Sequence, residues 1–204
     1  QHHAQKITQA NLGIDTHDDH GKSFSRCQAP AQFSGSFAMG AYQFHREVSA
    51  TLVASQEVVF PLLDDPVRLA EHMGERSAIL AGAKLRTETD KRLGQEVGSV
   101  IRMSGHILGM SISLEEAVVE RVPPQLKTWE TLGEPKLLVI GRYHMGFDLA
   151  PEGHGTRLRV WIDYNLPSSG GQRWLGRLFG RLYADWCVRK MVQSAAKAVK
   201  GVVR

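Results

Sequence analysis

The feature that most constrains this 204-residue chain is the order of its predicted elements. Residues 82–166 read as one strand after another, and residues 171–204 then form a single long helical segment. An antiparallel sheet with one apolar face needs a cover, and this helix is the only element long enough to provide it. The sequence therefore predicts an α+β fold in which a curved sheet and a C-terminal helix enclose an apolar cavity.

Apolar and polar side chains alternate along the predicted strands, as they do in half-buried sheets. We expect seven antiparallel strands, at residues 44–54, 83–89, 96–108, 110–122, 125–132, 136–149 and 156–166. Two short helices are expected after the first strand. The first covers residues 56–63 with Ser55 as its N-cap, and the second covers residues 66–73 with Pro66 in its first turn.

The same alternation predicts which side chains line the cavity. If the apolar face is the inner one, the opposite parity carries Arg102, His106, Arg142, His144 and Asp148 outward. We expect the inward, ligand-binding set to be Ile101, Met103, Ile112, Leu114, Tyr143, Met145, Ile162 and Tyr164. Trp129 has two interpretations, since it either lines the pocket or covers the outer face.

Glu116 is the exception on the inner face, because it shares parity with Leu114 and Val118. In an apolar cavity its pKa would be raised, and with Tyr143 and Tyr164 nearby it could act as a catalytic base toward an acidic C–H. The alternative, which the sequence alone favours, is that Glu116 lies at a strand end or on a bulge and reaches water.

The terminal helix carries apolar stripes on two different sides. Trp174, Leu178 and their neighbours gather on one side in the first half, whereas the stripe of the second half falls on another side. One straight helix cannot bury both stripes against one sheet. We therefore expect a break, a kink or a separate use of the first half near residues 184–187.

The two halves are expected to have different tasks. Residues 188–199 would seal the sheet, and residues 174–186 would form a lid that brings Leu182 and Trp186 to the cavity mouth. Gly176 and Gly180 would help such a lid to move, because glycine weakens a helix. The alternative is that the first half packs on a second copy of the chain, giving a homodimer, or on a sheet edge.

Positive charge is concentrated in this helix. From residue 171 onward there are eight basic residues against Asp185 alone, while residues 39–170 hold fourteen basic and seventeen acidic side chains. A basic amphipathic helix can bind acidic lipid head groups, here through Arg173, Arg177 and Arg181, although a solvated outer face is the more common explanation. We expect no nucleic-acid partner.

The chain is expected to hold one domain, residues 40–204, after a disordered polar tail, residues 1–39. Met39 could be the natural start. No signal peptide and no spanning helix are indicated, and the two cysteines lie in segments with no reason to meet, which fits a reducing cytoplasm.

Motifs for other chemistry are weak. The ligand types in His17-Asp18-Asp19-His20 lie in the polar tail and are expected to be solvated, so we predict no metal site. Residues 105–109 lack the strand-to-helix context of a dinucleotide loop, and no nucleophile elbow occurs. We therefore expect no cofactor.

The element order resembles the SRPBCC, or START-like, superfamily, which includes polyketide cyclases, lipid-transfer domains and Bet v 1-like plant allergens. The segments that carry the resemblance are SATLVASQEVVFPLLDDPVRLAEHM, PEGHGTRLRVWIDYNL and LGRLFGRLYADWCVRKMVQSAAKAVK. The resemblance lies in pattern rather than in a catalytic motif, so it implies the helix-grip fold more than any activity. Members bind lipids, quinones and polyketides between sheet and helix, and some catalyse cyclisation or dehydration there.

These observations give one main functional hypothesis and two alternatives. The main hypothesis is a carrier or sensor of a hydrophobic small molecule such as a lipid, quinone or polyketide. The first alternative is a metal-free enzyme of the cyclase or dehydratase type that uses Glu116. The second is a chaperone of lipids or quinones at a membrane surface.

Overall fold

A computed structural model of the protein describes residues 42–67, 69, 84–107 and 110–202, which lie within the compact unit Gly40–Arg204. The predicted tail and most of the predicted second short helix lie outside these residues. The described elements are β1 (Phe44–Leu52), α1 (Gln56–Asp64), β2 (Lys84–Thr89), β3 (Val100–Ile107), β4 (Met110–Val122), β5 (Leu126–Lys136), β6 (Tyr143–Glu152), β7 (Gly155–Tyr164) and α2 (Gly170–Val202).

The seven strands form one antiparallel sheet, as the alternation predicts. Their order across the sheet is β1-β7-β6-β5-β4-β3-β2, so the first strand of the sequence pairs with the last. Consecutive strands from β2 to β7 are neighbours, and Gly153 forms part of the tight turn between β6 and β7 with a φ of 59°. Glycine adopts this left-handed conformation at no steric cost.

The core lies between the sheet and α2. Side chains at alternate positions of β6 and β7 are buried, and they pack with the apolar side chains of the second half of α2. The helix residues in this core are Ala184, Val188, Met191, Val192, Ala195 and Val199. Burial of each large aliphatic side chain contributes about 1.5–3 kcal/mol. The prediction that the second half of α2 seals the sheet is confirmed.

A buried ionic cluster attaches α1 to the sheet. Lys127 Nζ donates to the Asp64 carboxylate at 2.8 Å and to the Asp64 carbonyl at the end of α1, and Arg121 donates to both carboxylate oxygens at 3.0 and 2.7 Å. Burial alone would raise the pKa of Asp64, but the two cations hold it below its ordinary value. The helix therefore ends on charge-assisted hydrogen bonds from β4 and β5.

The predicted strand boundaries differ from those in the structure, most of all at β3, β5 and β6. β5 continues to Lys136, and β6 begins only at Tyr143, because Leu137 and Ile140 in the connection turn into the core. β3 begins at Val100 rather than at residue 96, since Gly98 has a φ of 80°, which a regular strand does not accept.

The C-terminal helix runs unbroken from Gly170 to Val202, so of the three alternatives expected near residues 184–187 the break does not occur. The first half instead turns its glycines inward. A Cβ atom on Gly176 would lie 2.9 Å from the Val139 carbonyl oxygen and 2.7 Å from Pro167 Cδ, and one on Gly180 would lie 3.0 Å from the same carbonyl oxygen. These glycines allow the helix to pack closely against the neighbouring part of the chain. The bulky apolar side chains on the other side of the first half remain exposed to solvent.

Replacement of Gly176 by alanine is expected to destabilise the protein, because the added methyl group meets backbone and a proline ring. The expected loss is about 1–3 kcal/mol of unfolding free energy, although alanine normally favours a helix. Urea unfolding of the variant would measure this loss. Gly171→Ala is the control, since a Cβ atom there meets nothing within 4 Å. Equal stability of both variants would contradict the proposed close approach.

Candidate functional site

Glu116 is a carboxyl group enclosed by the apolar side of the sheet. It lies in the middle of β4, opposite Ile101 of β3 and Thr131 of β5, and only 2% of its surface is exposed. The pairing of β4 with β5 shifts register on either side of it, yet Glu116 does not reach water. The structure therefore has the buried arrangement and not the solvated one that the sequence alone favours.

Two neighbouring strands supply hydrogen-bond donors to this carboxyl group. The Tyr143 hydroxyl at the start of β6 donates to Glu116 Oε1, and the Trp129 side chain of β5 is a second partner. Tyr143 is held by its own backbone, because its N–H donates to Thr131 Oγ1 at 3.1 Å. The carboxyl group thus has fixed partners on two strands.

Burial dominates the ionisation of this site. It raises the pKa of Glu116 from 4.5 to about 7, while hydrogen bonds from Tyr143 and Trp129 and the charge of Lys127 partly offset the increase. Burial, followed by the nearby carboxylate, also raises the pKa of Tyr143 well above its usual value, so this hydroxyl stays protonated. At neutral pH, Glu116 can either donate or accept a hydrogen bond.

The helix contributes a second pair of polar groups to the same region. Tyr183 and Cys187, four residues apart on α2, are hydrogen-bonded to each other. Burial raises the pKa of the Cys187 thiol to about 12. The charge of a Cys187 thiolate and burial raise the pKa of Tyr183 well above its usual value, with a further contribution from Glu116. Tyr143, Tyr183 and Cys187 therefore stay protonated at neutral pH, and they lie close enough to Glu116 and to one another to interact electrostatically.

Apolar side chains surround this polar group. Of the predicted ligand-binding residues, Met103 and Leu114 are half-buried on the inward face of β3 and β4. The fully buried ones are Ile101, Ile112, Trp129, Tyr143, Met145, Ile162 and Tyr164. The inward parity of these strands is confirmed, and Trp129 lies on the inner face. Contact of any of these side chains with a ligand stays a prediction.

Three predicted site residues contact other parts of the protein or solvent. Tyr164 packs beneath Gly180 and beside Phe44, and its hydroxyl interacts electrostatically with Arg46 and Asp185. Leu182 is 65% exposed, and Trp186 is half-buried with its ring against Tyr183. Leu182 points to solvent because the inward side of the helix is occupied by glycine.

Sequence reasoning missed Tyr183, Cys187 and Thr131. Tyr183 and Cys187 have the i, i+4 spacing that places two side chains on one helix face, and this face also holds Gly176 and Gly180. The position of all four residues on one helix face was the sequence signal that could have identified Tyr183 and Cys187. Thr131 shares the parity of Trp129 and could have been found in the same way.

An open depression of about 450 Å³ lies elsewhere, between α1 and the turn that joins β4 to β5. It includes none of the predicted ligand-binding residues. Its walls are Glu57, Phe60, Pro61, Asp64, Gln95, Arg121, Pro123 and Pro124. Asp64 and Arg121 are already paired there, so this depression has a structural explanation in the ionic cluster.

A sheet that grips one long C-terminal helix defines the helix-grip class of proteins, and solved structures share this fold. A Thermus thermophilus protein matches with a TM-score of 0.58 and 18% identity over 78% of this chain and 99% of that one. Norcoclaurine synthase from Thalictrum flavum matches with a TM-score of 0.55 and 16% identity over 76% and 92% of the two chains. Ara h 8.0201 matches with a TM-score of 0.50 and 12% identity over 78% and 97%.

The chain therefore shares the helix-grip fold of these structures, which is the fold that the sequence resemblance implies. Identities this low define the fold and leave the activity open. No protein-family model and no curated protein matches the chain. Within the described ranges, no helix combines the length and apolarity needed to cross a membrane.

The raised pKa of Glu116 makes a prediction about stability. Between pH 4.5 and 7 the unfolded chain releases the Glu116 proton while the folded protein keeps it. The contribution of Glu116 to the free energy of unfolding is therefore fully present below pH 4.5 and is lost as the pH rises to 7. We expect wild type to lose about 3 kcal/mol relative to Glu116→Gln over this interval. Urea unfolding of both proteins across this pH interval measures the difference in their free energies of unfolding. Other titrating groups contribute equally to both proteins and so cancel in this difference. A constant difference would show that Glu116 titrates normally.

Proposed function

We propose that the protein binds a hydrophobic small molecule between the sheet and α2, with one polar end of the ligand at Glu116. The observation that supports this most directly is the buried Glu116 carboxyl group with its Tyr143 partner. Carrier or sensor activity follows from such binding.

The apolar wall supports the first part of the proposal. Met103 and Leu114 point to the inner side of the sheet but are only half-buried, unlike Ile101 and Ile112 beside them. An apolar ligand that covers Met103 and Leu114 would remove their remaining surface from water, which favours binding by about 25 cal/mol per Å². These two side chains lie on the same strand pair as Glu116.

The polar group supports the second part. A buried carboxyl group costs free energy unless its hydrogen bonds are satisfied, and proteins that keep one usually use it. Tyr143 and Trp129 both direct donors toward Glu116. A ligand with one carbonyl or hydroxyl group on an apolar body could exchange hydrogen bonds with Glu116 or Tyr143.

Proteins of similar fold also support a small-molecule ligand. A structure of norcoclaurine synthase contains dopamine and hydroxybenzaldehyde, and this protein covers 78% of the present chain at 16% identity. Bet v 1-like folds are typical of binders of hydrophobic small molecules. The identity of the ligand for the present chain is open to direct chemical analysis.

Met103→Asp is expected to weaken binding of the fluorescent apolar dye Nile red at least tenfold, because the new carboxylate must be desolvated on the apolar wall. Fluorescence titration measures the dissociation constant. Val119→Asp, on an exposed position of β4, is the matched control and should bind as wild type does. Unfolding curves of both variants establish that the sheet is intact. Equal Nile red affinity of wild type and Met103→Asp would place the binding surface elsewhere.

Acid–base catalysis at Glu116 is a second candidate function. It is favoured by one observation, that Glu116 has a pKa of about 7 beside a tyrosine that stays protonated. A carboxylate with that pKa can remove an acidic proton at neutral pH, and Tyr143 can donate a hydrogen bond to the oxygen that becomes negative. This chemistry needs no metal ion.

Glu116→Gln distinguishes the two functions, because glutamine keeps the size and hydrogen bonds of the site but cannot take a proton. A carrier should bind the molecule that co-purifies from its own cells with a dissociation constant changed by less than about fivefold. An enzyme should convert that molecule and lose at least about 100-fold in kcat. Mass spectrometry of the bound molecule before and after incubation provides the measurement. Full turnover by Glu116→Gln would exclude Glu116 as the base.

A further inference from the structure

The first half of α2 presents an apolar surface to solvent. We call this surface the outer helix face. It consists of Trp174, Leu178, Phe179 and Leu182, which are 64%, 54%, 43% and 65% exposed. Scattered apolar residues are normal on protein surfaces, but four within nine residues of one helix form a continuous patch.

Packing on the opposite side of the helix fixes this orientation. Gly176 and Gly180 approach the Val139 carbonyl oxygen so closely that no side chain fits there. Since α2 is an unbroken helix, Trp174, Leu178 and Leu182 follow one another at four-residue intervals on the other side. The outer helix face therefore cannot turn inward without removal of α2 from its place on the protein.

Three arginines flank one edge of the outer helix face, with Arg181 nearest to this face and Arg173 farthest from it. Arg173, Arg177 and Arg181 are exposed, and residues 170–184 contain no acidic side chain. The next acidic residue, Asp185, lies 3.3 Å from Arg46 and 4.0 Å from Arg181. Among the described residues, no ion pair involves Arg173 or Arg177. Two cationic side chains beside the face are thus available to an external anion.

We propose that the outer helix face docks the protein on an anionic lipid bilayer. Helices that lie in a membrane surface combine Trp, Phe and Leu on one side with Lys and Arg beside them. Trp174, Leu178 and Leu182 would enter the region between head groups and acyl chains. Arg173, Arg177 and Arg181 would contact lipid phosphates, each strengthening binding about fivefold. Membrane docking would determine where in the cell the protein binds its ligand. The docking proposal does not depend on the ligand-binding proposal.

A second copy of the chain is a poorer occupant of this face. A twofold contact would place the same apolar patch on both partners, but it would also bring together the cationic borders of both helices, with no acidic residue in 170–184 to compensate. A bilayer with anionic lipids compensates this charge. Self-association remains a distinct outcome of the experiment.

Sedimentation of the full-length protein with lipid vesicles tests the proposal. Wild type should bind vesicles that contain phosphatidylcholine and phosphatidylglycerol and should bind pure phosphatidylcholine weakly. Arg177→Gln with Arg181→Gln should weaken binding about 25-fold, and added salt should weaken the binding of wild type. Leu178→Asp should abolish binding at any salt concentration because it puts a charge into the apolar region of the membrane.

Matched controls test whether vesicle binding depends on the outer helix face or on apolar and charged side chains anywhere on the surface. Val122→Asp and Arg157→Gln change an exposed valine and an exposed arginine on strands β4 and β7, and both should bind vesicles as wild type does. Unchanged binding by Leu178→Asp, or no binding of wild type to anionic vesicles, would overturn the proposal. A concentration-dependent dimer that Leu178→Asp dissociates, without vesicle binding, would assign the face to a second copy instead. Nile red titration of the same variants should be unchanged.

Discussion

The close approach of α2 to Val139, Leu166 and Pro167 is the contact on which the rest of the arrangement depends. It requires glycine at positions 176 and 180, and it fixes the rotation of the helix about its axis. With that rotation fixed, Tyr183 and Cys187 face the sheet near Glu116, while Trp174 and Leu178 face solvent. One steric constraint therefore determines both the helix side of the candidate site and the outer helix face.

The apolar surroundings of the candidate site have one favourable and one unfavourable effect. Its apolar surroundings favour binding of a hydrophobic molecule, and the same surroundings destabilise the ionised form of Glu116. Tyr143 and Trp129 reduce this cost without removing it. A group that lowers the stability of the fold and yet has partners on two other strands supports the ligand recognition proposed above.

Much of the fold could be predicted from the sequence, because alternation along each strand depends mainly on which side is buried. This reasoning identified seven strands and the long helix. It gave Glu116 the inward parity but favoured a position that reaches water, whereas the structure buries this side chain. It could not show that α2 is continuous, since it assumed that bulky apolar side chains must be buried and glycines must be flexible. The contact of Gly176 with the Val139 carbonyl oxygen is a tertiary feature that no local pattern contains.

The continuity of α2 has a mechanical consequence. A helix of 33 residues is about 50 Å long and has no joint at which one half could swing alone. A force on Trp174 would therefore act on Tyr183 as well, and α2 could tilt only if the contact of Gly176 and Gly180 with the Val139 carbonyl oxygen opened. Events at the solvent-facing end could thus be transmitted to the interior by leverage, without unfolding a single turn.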